Sequence, residues 1–475
     1  MIFTNFIEKQ RIFIEYFLGM KELVIYEEQS KLLHKKIEVN ERILLLKQLK
    51  SCIETNENRI TEALQQDFSK PPFETYASEI LMVYKEINTF LKNLRKWVKP
   101  KQKTPALLNF PSRDYIYREA WGHVLVIAPW NYPFQLAINP ALAAFASGNR
   151  VILKPSELTP HTSKVLESIV KEVFPSKYLY VIQGGKDVAS MLLQKKWNYL
   201  FFTGSVAVGK IVAKAAAEQL CPVTLELGGK NPCIIDKTAN LKIAAKRIVW
   251  GKFLNAGQTC IAPDYLLVDK NIKDKFTDLL TREITNFYSE DVASSSDFAR
   301  IVSVSHFERL HKMLEGEEIL YGGKSNKETR FIEPTLVKID SPDAKLMQEE
   351  IFGPILPLIT YADNSEIEAW VSMHPNPLAF YIFSENKNEA TKILNNYSFG
   401  GGVINDTIVH FLNDRLPFGG VGNSGMGQYH GKHSFETFTR PTTILQRSTL
   451  FDIPLRYAPY DGRLSLLKKI KAWIS

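Results

Sequence analysis

The amino-acid sequence predicts an α/β protein with two sheet-containing domains, and three observations support this. Short β-branched and aromatic runs alternate with helix-like segments from Gly122 onward, and each run closes on Pro or Gly. A second alternation begins near Pro232 and continues to about Val403. The chain of 475 residues is also too long for one ordinary hydrophobic core. Strands that alternate with helices form βαβ units, so we expect parallel sheets that bind ligands at their strand ends.

The N-terminal part of the chain, from about Lys21 to Trp97, has apolar residues at helical spacing and predicts amphipathic helices that pack on a later core. The first set of strands is expected in VLVIAPW, RVILKPS, YLYVIQGG, YLFFTGS and PVTLEL, and the second in CIID, YLLVD, FIEPTLV, PILPLITY and FYIFS. Two strands stand apart, RDYIYREA (113–120) and ETFTRPTTILQRS (436–448). Together they predict a small arm that joins subunits.

The composition argues against several classes of protein. At 45% hydrophobic and 23% charged residues it is typical of a globular protein of enzyme size. The surplus of 59 Lys and Arg over 51 Asp and Glu is spread along the chain, which favours solvated surface lysines over a nucleic-acid interface. The four cysteines are too scattered for a zinc site or a disulfide framework: Cys52, Cys221, Cys233 and Cys260. We expect no bound metal, and we expect the four cysteines to be free thiols in the cytoplasm.

The two ends of the chain carry less information. Charged residues interrupt the apolar N-terminal stretch before a signal-peptide core can form, and no apolar run reaches the length of a membrane span. The segment 463–475 is basic and amphipathic, and an ordinary surface helix is favoured there over one that lies on a membrane.

Two glycine-rich motifs match nucleotide-binding patterns without their structural context. Gly204-Ser-Val-Ala-Val-Gly209-Lys210 has P-loop spacing, but Ile211 stands where a Ser or Thr ligand of Mg²⁺ is required. What remains is a strand, a glycine turn and a helix whose first N–H groups suit a pyrophosphate. Gly420-Val-Gly422-Asn-Ser-Gly425 follows no strand, and it is interpreted as a loop where backbones pack closely or approach a ligand.

A candidate nucleophile and base lie in two further motifs. Cys260 ends Asn-Ala-Gly-Gln-Thr-Cys, after a helix-like run. A lone cysteine is more often inert, but Glu226 in Glu-Leu-Gly-Gly-Lys closes a predicted strand just before two glycines. A carboxylate on such a turn can swing, which suits a base that activates water in one stage of a reaction. Asn131 in Pro-Trp-Asn-Tyr-Pro is either an oxyanion donor or an Asx-turn residue, and the spacing alone favours neither.

These motifs together resemble the NAD(P)-dependent aldehyde dehydrogenases. The resemblance runs from about Glu22 to Tyr460 and rests on seven blocks in the family's order: PWNYP, KPSE, FTGS, ELGGK, GQTC, EEIFGP and LPFGGVGNSGMG. The continuation YHGKHSFETF is similar to the class 3 branch, which includes fatty and aromatic aldehyde dehydrogenases. The first roughly 20 residues precede the usual class 3 start, so Met20 is an alternative initiator.

The resemblance implies the role of each site residue. Cys260 would be the nucleophile and Glu226 the general base, and Asn131 would form the oxyanion hole with the Cys260 backbone N–H. For the cofactor, NAD or alternatively NADP, it implies adenine-ribose contacts, a pyrophosphate turn and nicotinamide-ribose contacts. Lys154 and Glu157 would contact the adenine ribose. Gly204, Ser205 and Gly209 would form the pyrophosphate turn, and Glu350 and Phe352 would contact the nicotinamide ribose. Glu157 favours NAD, because its charge would repel a 2′-phosphate.

The same resemblance implies a domain plan and a homodimer. The plan comprises a Rossmann-type dinucleotide-binding domain (20–112 and 121–228), an α/β catalytic domain (229–414), the oligomerisation arm (113–120 and 436–448), a glycine-rich connecting loop (415–435) and a C-terminal tail (449–475). Medium-chain aliphatic or aromatic aldehydes are the expected substrates, although motif positions do not reveal the pocket.

Three other functions compete with hydrolytic aldehyde oxidation. An acylating dehydrogenase would pass the thioester to a thiol such as coenzyme A, but it would not need Glu226 as a base. A cysteine hydrolase would need His410 or His430 beside Cys260. A non-enzymatic use of the fold is disfavoured because Cys260, Glu226 and Asn131 are all present.

Overall fold

The computed structural model describes residues 24–106, 109–450, 452, 454–465 and 468–469. The proposed start at Met20 and most of the predicted tail helix lie outside these residues; 463–465 and 468–469 are helical. The N-terminal region is helical as predicted. Its elements are α1 (24–31), α2 (Val39–Phe68), α3 (Pro72–Thr75), a five-residue π-helix (Tyr76–Ile80) and α4 (Leu81–Trp97).

The first α/β unit is a six-stranded sheet in which five strands are parallel. Its strand order is β17-β7-β6-β3-β4-β5, and only β17 runs antiparallel, at one edge. The strands are β3 (His123–Ile127), β4 (Arg150–Lys154), β5 (Leu179–Val181), β6 (Tyr199–Thr203), β7 (Val223–Glu226) and β17 (Gly425–Met426). The helices between them are α5 (Gln135–Ala146), α6 (Pro160–Val173), α7 (Lys186–Leu193) and α8 (Val206–Glu218).

The second unit is a seven-stranded sheet with the order β10-β13-β14-β9-β8-β15-β16, in which β10 alone is antiparallel. Its strands are β8 (Pro232–Ile235), β9 (Tyr265–Asp269), β10 (Glu318–Tyr321), β13 (Thr335–Lys338), β14 (Ile355–Tyr361), β15 (Ala379–Phe383) and β16 (Gly401–Ile404). Its helices are α9 (Leu241–Phe253), α10 (Lys273–Tyr288), α11 (Val304–Leu314), α12 (Lys345–Gln348), α13 (Asn364–Ser372) and α14 (Lys387–Asn395). The central strands are buried on both faces, which explains their nearly continuous apolar runs.

A separate three-stranded sheet contains both strands that stood apart in the sequence. β2 (Ser112–Ala120) lies between β1 (Lys101–Lys103) and β18 (Thr439–Arg447), and β2 pairs with β18 over nine residues. The strand predicted from residue 436 begins three residues later, because 436 and 437 end the helix α15 (Lys432–Thr437).

Two other segments differ from the sequence prediction. FIEPTLV is not one strand, because Pro334 separates β12 (Phe331–Ile332), which pairs with β11 (Ser325–Asn326), from β13. The segment 415–435 is not all loop, since it contributes β17 and the start of α15. No helix of the described ranges is long and apolar enough to span a membrane.

The parallel order of the first sheet brings three sequence-distant motifs to one edge. Asn131 follows β3, Gly204 follows β6 and Glu226 ends β7, and these three strands are neighbours that run in the same direction. The loops after their last residues therefore open on the same side, where ligands bind in sheets of this type.

Candidate active site

Cys260 lies on a tight turn between α9 and β9. After α9 ends at Phe253, Asn255 and Ala256 both adopt left-handed backbone angles, with φ of 57° and 52°. Gly257 follows with φ of 73°, and a Cβ there would lie 2.3 Å from the carbonyl oxygen of Gly353. Non-glycine residues rarely adopt this conformation, and its strain must be offset by surrounding contacts. Cys260 itself is half-buried.

The turn is held by a buried network of hydrogen bonds. The Gln258 amide donates to the carbonyls of Asn255 and Arg300, both at 3.0 Å, and accepts from the N–H of Val302. The hydroxyl of Tyr132 lies 2.6 Å from that of Thr259, next to the thiol. The backbone position of Cys260 is therefore constrained from several directions.

Asn131 lies beside this turn, with its side chain buried. Its Nδ2 donates to the Gln258 carbonyl at 3.1 Å, across 127 residues of sequence. Within the described residues no hydrogen bond links the side chain to its own turn, so the Asx-turn interpretation has no support. An amide nitrogen carries two hydrogens, so a second N–H remains for a ligand oxygen.

Glu226 has a fixed backbone and an unpartnered side chain. Its carbonyl accepts from the Gly204 N–H at 3.0 Å, and the residue pairs with Gly425 of β17. Both carboxyl oxygens are buried without a hydrogen-bond partner. Burial raises the pKa of this carboxyl well above its ordinary value, because the charged form has lost its water. Burial therefore favours the neutral, protonated form of this carboxyl.

One apolar cavity of about 410 Å³ contains both Cys260 and Glu226. Most of its wall is apolar or aromatic, including Leu81, Leu136, Trp250, Ile408, Phe411 and Leu412. Phe73 and Leu81 are also exposed to solvent, at 81% and 45%, so they mark its open end. Within the described part of the chain, Lys85 is the one cation that lines the cavity, and its ammonium lies 3.8 Å from Asp414.

The thiol of Cys260 is in an environment that favours its neutral form. Burial is the larger cause of the raised pKa of Cys260, followed by the negative charges of Glu350 and Glu226. A neutral thiol is a weak nucleophile, so attack requires loss of its proton. Burial likewise raises the pKa of Glu350, to about 8.

Lys154 and Glu157 lie together after β4, at the same edge of the sheet. The Lys154 ammonium is buried and lies 2.6 Å from the Glu157 carboxylate, which is half-exposed. A buried cation and an accessible acid at this position can both hydrogen-bond ribose hydroxyls, and the acid is unfavourable for a phosphate.

Gly204, Ser205 and Gly209 form the junction between β6 and α8. The Ser205 side chain caps α8 by accepting from the Val208 N–H at 3.4 Å. A Cβ at Gly209 would lie 2.6 Å from Leu227, so this glycine lets α8 pack closely on the sheet. The 13-residue helix directs its first N–H groups to the same edge and fits a pyrophosphate.

Glu350 and Phe352 approach the active site from the second sheet. A Cβ at Gly228 would lie 1.9 Å from Oε2 of Glu350, so the acid packs directly on the glycines after Glu226. The Phe352 ring contacts Trp130 edge-on at 5.2 Å between centroids, next to Asn131. Glu350 therefore lies against the Glu226 turn, and Phe352 lies against the Asn131 turn.

A group of buried charged residues lies at the cavity wall and behind it, and the sequence did not predict this group. Lys70 and Glu79 form an ion pair at 2.8 Å with no exposure, and Glu79 also accepts from the N–H groups of Phe134 and Gln135. Glu74 lines the cavity and accepts from the Asn255 N–H at 3.0 Å. In the sequence these residues lie in a helix-like region rich in Lys and Glu, where a charge normally indicates a solvated face. No local signal identifies them.

The two histidines that a cysteine hydrolase would need do not line the cavity. His410 is largely buried and neither ring nitrogen has a hydrogen-bond partner, and burial lowers its pKa to about 4. His430 is buried among Tyr429, Phe418 and Phe411. Neither histidine is positioned to serve Cys260 as a base.

Comparison with known proteins identifies relatives over nearly the whole chain. The model of the aldehyde dehydrogenase family matches residues 27–444. The 4,4'-diaponeurosporen-aldehyde dehydrogenase of Staphylococcus aureus is 46% identical over 89% of this chain and 93% of its own. Aldehyde dehydrogenase family 3 member A2 of Pongo abelii is 41% identical over 90% of each chain. A substrate-bound structure of Staphylococcus aureus AldH superposes with a TM-score of 0.92 at 44% identity, covering 94% of this chain and 98% of the other.

Proposed function

The chain belongs to the aldehyde dehydrogenase family, and from this we propose that it oxidises aldehydes to carboxylates through a thioester on Cys260. It is an oxidoreductase, as the family and the relatives are. The observation that carries the mechanism is the shared cavity: the thiol of Cys260 and the unpartnered carboxyl of Glu226 line one apolar space, and the Asn131 amide is hydrogen-bonded to the turn that carries Cys260.

In the first stage the Cys260 thiol loses its proton to solvent, its sulfur adds to the aldehyde carbon, and the carbonyl oxygen becomes an alkoxide as the C=O double bond opens. The free N–H of Asn131 and the backbone N–H of Cys260 would donate to that oxygen, where the negative charge develops. A bound nicotinamide supplies the acceptor for the hydride that leaves the same carbon. The product of this stage is a thioester on Cys260.

In the second stage Glu226 removes a proton from a water molecule, and the resulting hydroxide attacks the thioester. The C–S bond breaks, the sulfur takes the proton that Glu226 received from the water, and the acid leaves as a carboxylate after losing its own proton to solvent. Because both oxygens of Glu226 lack a protein partner, the carboxylate can bind a water that enters the cavity. This role favours hydrolysis over transfer of the acyl group to a thiol such as coenzyme A.

The cofactor would be held by residues of both sheets. The Lys154 and Glu157 pair suits ribose hydroxyls, the start of α8 at Gly204, Ser205 and Gly209 suits the pyrophosphate, and Glu350 with Phe352 would contact the nicotinamide ribose. The family uses NAD or NADP. We propose that NAD is preferred, since the accessible charge of Glu157 would repel a 2′-phosphate.

The cavity wall supports an apolar substrate. Aliphatic and aromatic side chains surround the space beyond Cys260, so an alkyl chain or aromatic ring would gain free energy by leaving water. We propose medium-chain or longer aliphatic aldehydes and aromatic aldehydes as the substrate class. The name of the Staphylococcus aureus relative, a diaponeurosporen-aldehyde dehydrogenase, is consistent with an apolar substrate. We also propose a cytoplasmic homodimer joined through the β2–β18 arm.

The deciding experiment measures reduction of NAD and NADP with aldehydes of increasing chain length, for wild type, Cys260→Ala and Glu226→Gln. We expect kcat/KM to rise with chain length and to be higher with NAD, no turnover by Cys260→Ala, and one fast burst followed by stalling in Glu226→Gln. Unchanged turnover in Cys260→Ala would refute the thioester mechanism. Turnover that requires added coenzyme A would favour the acylating enzyme.

A further inference from the structure

We propose that Glu74 is a positioning residue: its carboxylate holds the turn that carries Cys260 and, through that turn, the Asn131 amide. The inference rests on the proposed function, because this positioning matters only if Cys260 and Asn131 perform the chemistry.

A continuous path of buried hydrogen bonds connects Glu74 with Asn131 and with the turn that carries Cys260. Oε2 of Glu74 accepts from the Asn255 N–H at 3.0 Å. The Asn255 side chain donates to the Asn131 carbonyl at 2.8 Å and to the Gln258 carbonyl at 3.2 Å. Gln258 also accepts from the Asn131 amide at 3.1 Å. Three separate segments of the chain meet here, and Glu74 is the one member outside both active-site turns.

The turn needs such an anchor because of its backbone conformation. Asn255 and Ala256 are consecutive non-glycine residues with left-handed angles. The Asn255 N–H would be a buried donor without an acceptor if Glu74 were removed, and left-handed residues persist only where their surroundings impose them. Loss of the carboxylate should therefore let the turn relax and move both Cys260 and Asn131.

Glu74 is itself held in place by the segment that supports the Asn131 turn. It lies in α3, which continues into the π-helix that carries Glu79, and Glu79 accepts from the first N–H groups around the start of α5. One short stretch of chain thus holds the turn that carries Cys260 through Glu74, and the Asn131 turn through Glu79. Short π-helices of this kind often occur at functional sites.

The charge of Glu74 should respond to pH in the working range. The groups that face it are Lys70, Asp297, Tyr132 and Tyr288. Burial outweighs the attraction of Lys70 and raises the pKa of Glu74 to about 7. An ionised carboxylate accepts an N–H more strongly than a neutral one. As pH falls through 7, protonation should weaken the hold on Asn255 and slow attack by Cys260.

The test uses Glu74→Ala, Glu74→Gln and the matched control Glu86→Gln. Glu86 is also a buried carboxyl with a pKa raised to about 7, and it accepts the Gly431 N–H instead of one in the active site. Two rates are measured between pH 6 and 9: aldehyde oxidation, and the cofactor-free burst of nitrophenolate from p-nitrophenyl acetate. The burst reports acylation of Cys260 and does not depend on hydrolysis by Glu226.

We expect Glu74→Ala to lower kcat and the burst rate by about 10- to 100-fold, the cost of a small misplacement, with KM nearly unchanged. Glu74→Gln keeps an acceptor without the titrating charge, so below pH 7 its burst rate should fall less steeply than that of wild type; the fall that remains is due to protonation of the Cys260 thiol. Glu86→Gln should match wild type in both assays.

Each contrary result has a distinct meaning. A wild type with neither aldehyde turnover nor a Cys260-dependent burst would refute the proposed function itself. An active wild type with an unaffected Glu74→Ala would overturn positioning alone, as would a change confined to KM, which would indicate that Glu74 contacts the substrate. If Glu74→Ala does not fold, the pH profile of Glu74→Gln decides, and a fall below pH 7 as steep as that of wild type overturns the proposal.

Discussion

At the scale of single residues, the active site contains groups in environments that folding alone would not favour. Glu226 is a buried carboxyl without a partner, and Asn255 and Ala256 have strained backbone angles. A buried polar group without a hydrogen bond costs about 1–3 kcal/mol. The closely packed protein around these residues supplies the stability that offsets this cost.

The unpartnered carboxyl of Glu226 predicts a stabilising substitution. Because its pKa is raised in the folded state, the carboxyl favours folding below its unfolded pKa, and this contribution is lost as pH rises through the folded value. Glu226→Gln does not titrate, so at pH 9 its free energy of unfolding should exceed that of wild type by about 1–3 kcal/mol, and its melting temperature should be correspondingly higher. The two proteins should converge near pH 5.

Thermal unfolding followed by circular dichroism at both pH values measures this effect. The exposed Glu62→Gln is the matched control and should leave the melting temperature unchanged at either pH. A Glu226→Gln protein that melts below wild type at pH 9 would show that the carboxylate has a stabilising partner.

At the scale of secondary structure, the glycine-rich loop contributes the short strand that covers the edge of the first sheet. β17 pairs with β7 at Glu226 and Leu225, so two residues of this loop support Glu226, the proposed base, from the outer side of the sheet. Gly425 has a φ of 152°, and a Cβ there would lie 2.3 Å from the Leu225 carbonyl oxygen. The close backbone approach explains why the loop is rich in glycine.

We therefore predict that Gly425→Ala separates β17 from β7. The added methyl group meets backbone atoms that cannot rotate away, so we expect destabilisation of about 1–3 kcal/mol. Hydrolysis of the thioester should also slow, because Glu226 loses support on one side. Thermal melts and the steady-state rate after the burst measure the two effects. Gly185→Ala is the control, since nothing lies within 4 Å of its Cβ position.

At the scale of the whole molecule, the arm formed by β2 and β18 has no covering layer within the described part of the chain. Ile444 and Leu445 of β18 are adjacent, so they point to opposite faces, and they are 47% and 44% exposed. An arm whose apolar residues face solvent on both sides is expected to pack against another subunit.

The proposed dimer makes a measurable prediction. Light scattering should give a mass twice that of the chain for wild type, and about one chain mass for Ile444→Arg combined with Leu445→Arg, because charge at the interface opposes association. The control Leu220→Arg places the same charge on an exposed apolar residue away from the arm, and it should leave the dimer intact. A monomeric wild type would contradict the proposal.

Much of the fold could be predicted from the sequence because its signals are local. Buried parallel strands are continuous apolar runs, and helices are indicated by apolar residues three and four positions apart. Most strands were therefore expected where β3–β9, β14 and β15 occur. The short strands β1, β10, β11, β16 and β17 were missed, since they lie outside the longer apolar runs that marked equally short strands such as β5 and β8. The family followed from seven motifs in order, and the comparisons confirm it.

By itself the sequence determined the α/β class, the family and the motifs that hold Cys260, Glu226 and Asn131. The tertiary structure alone decided which groups surround them: that Glu226 has no partner, and that Glu74 reaches a backbone N–H 181 residues away. A motif records the residues next to each other along the chain. Hydrogen bonding and desolvation depend on distances in space, and these are set only when the two sheets and the N-terminal helices pack together.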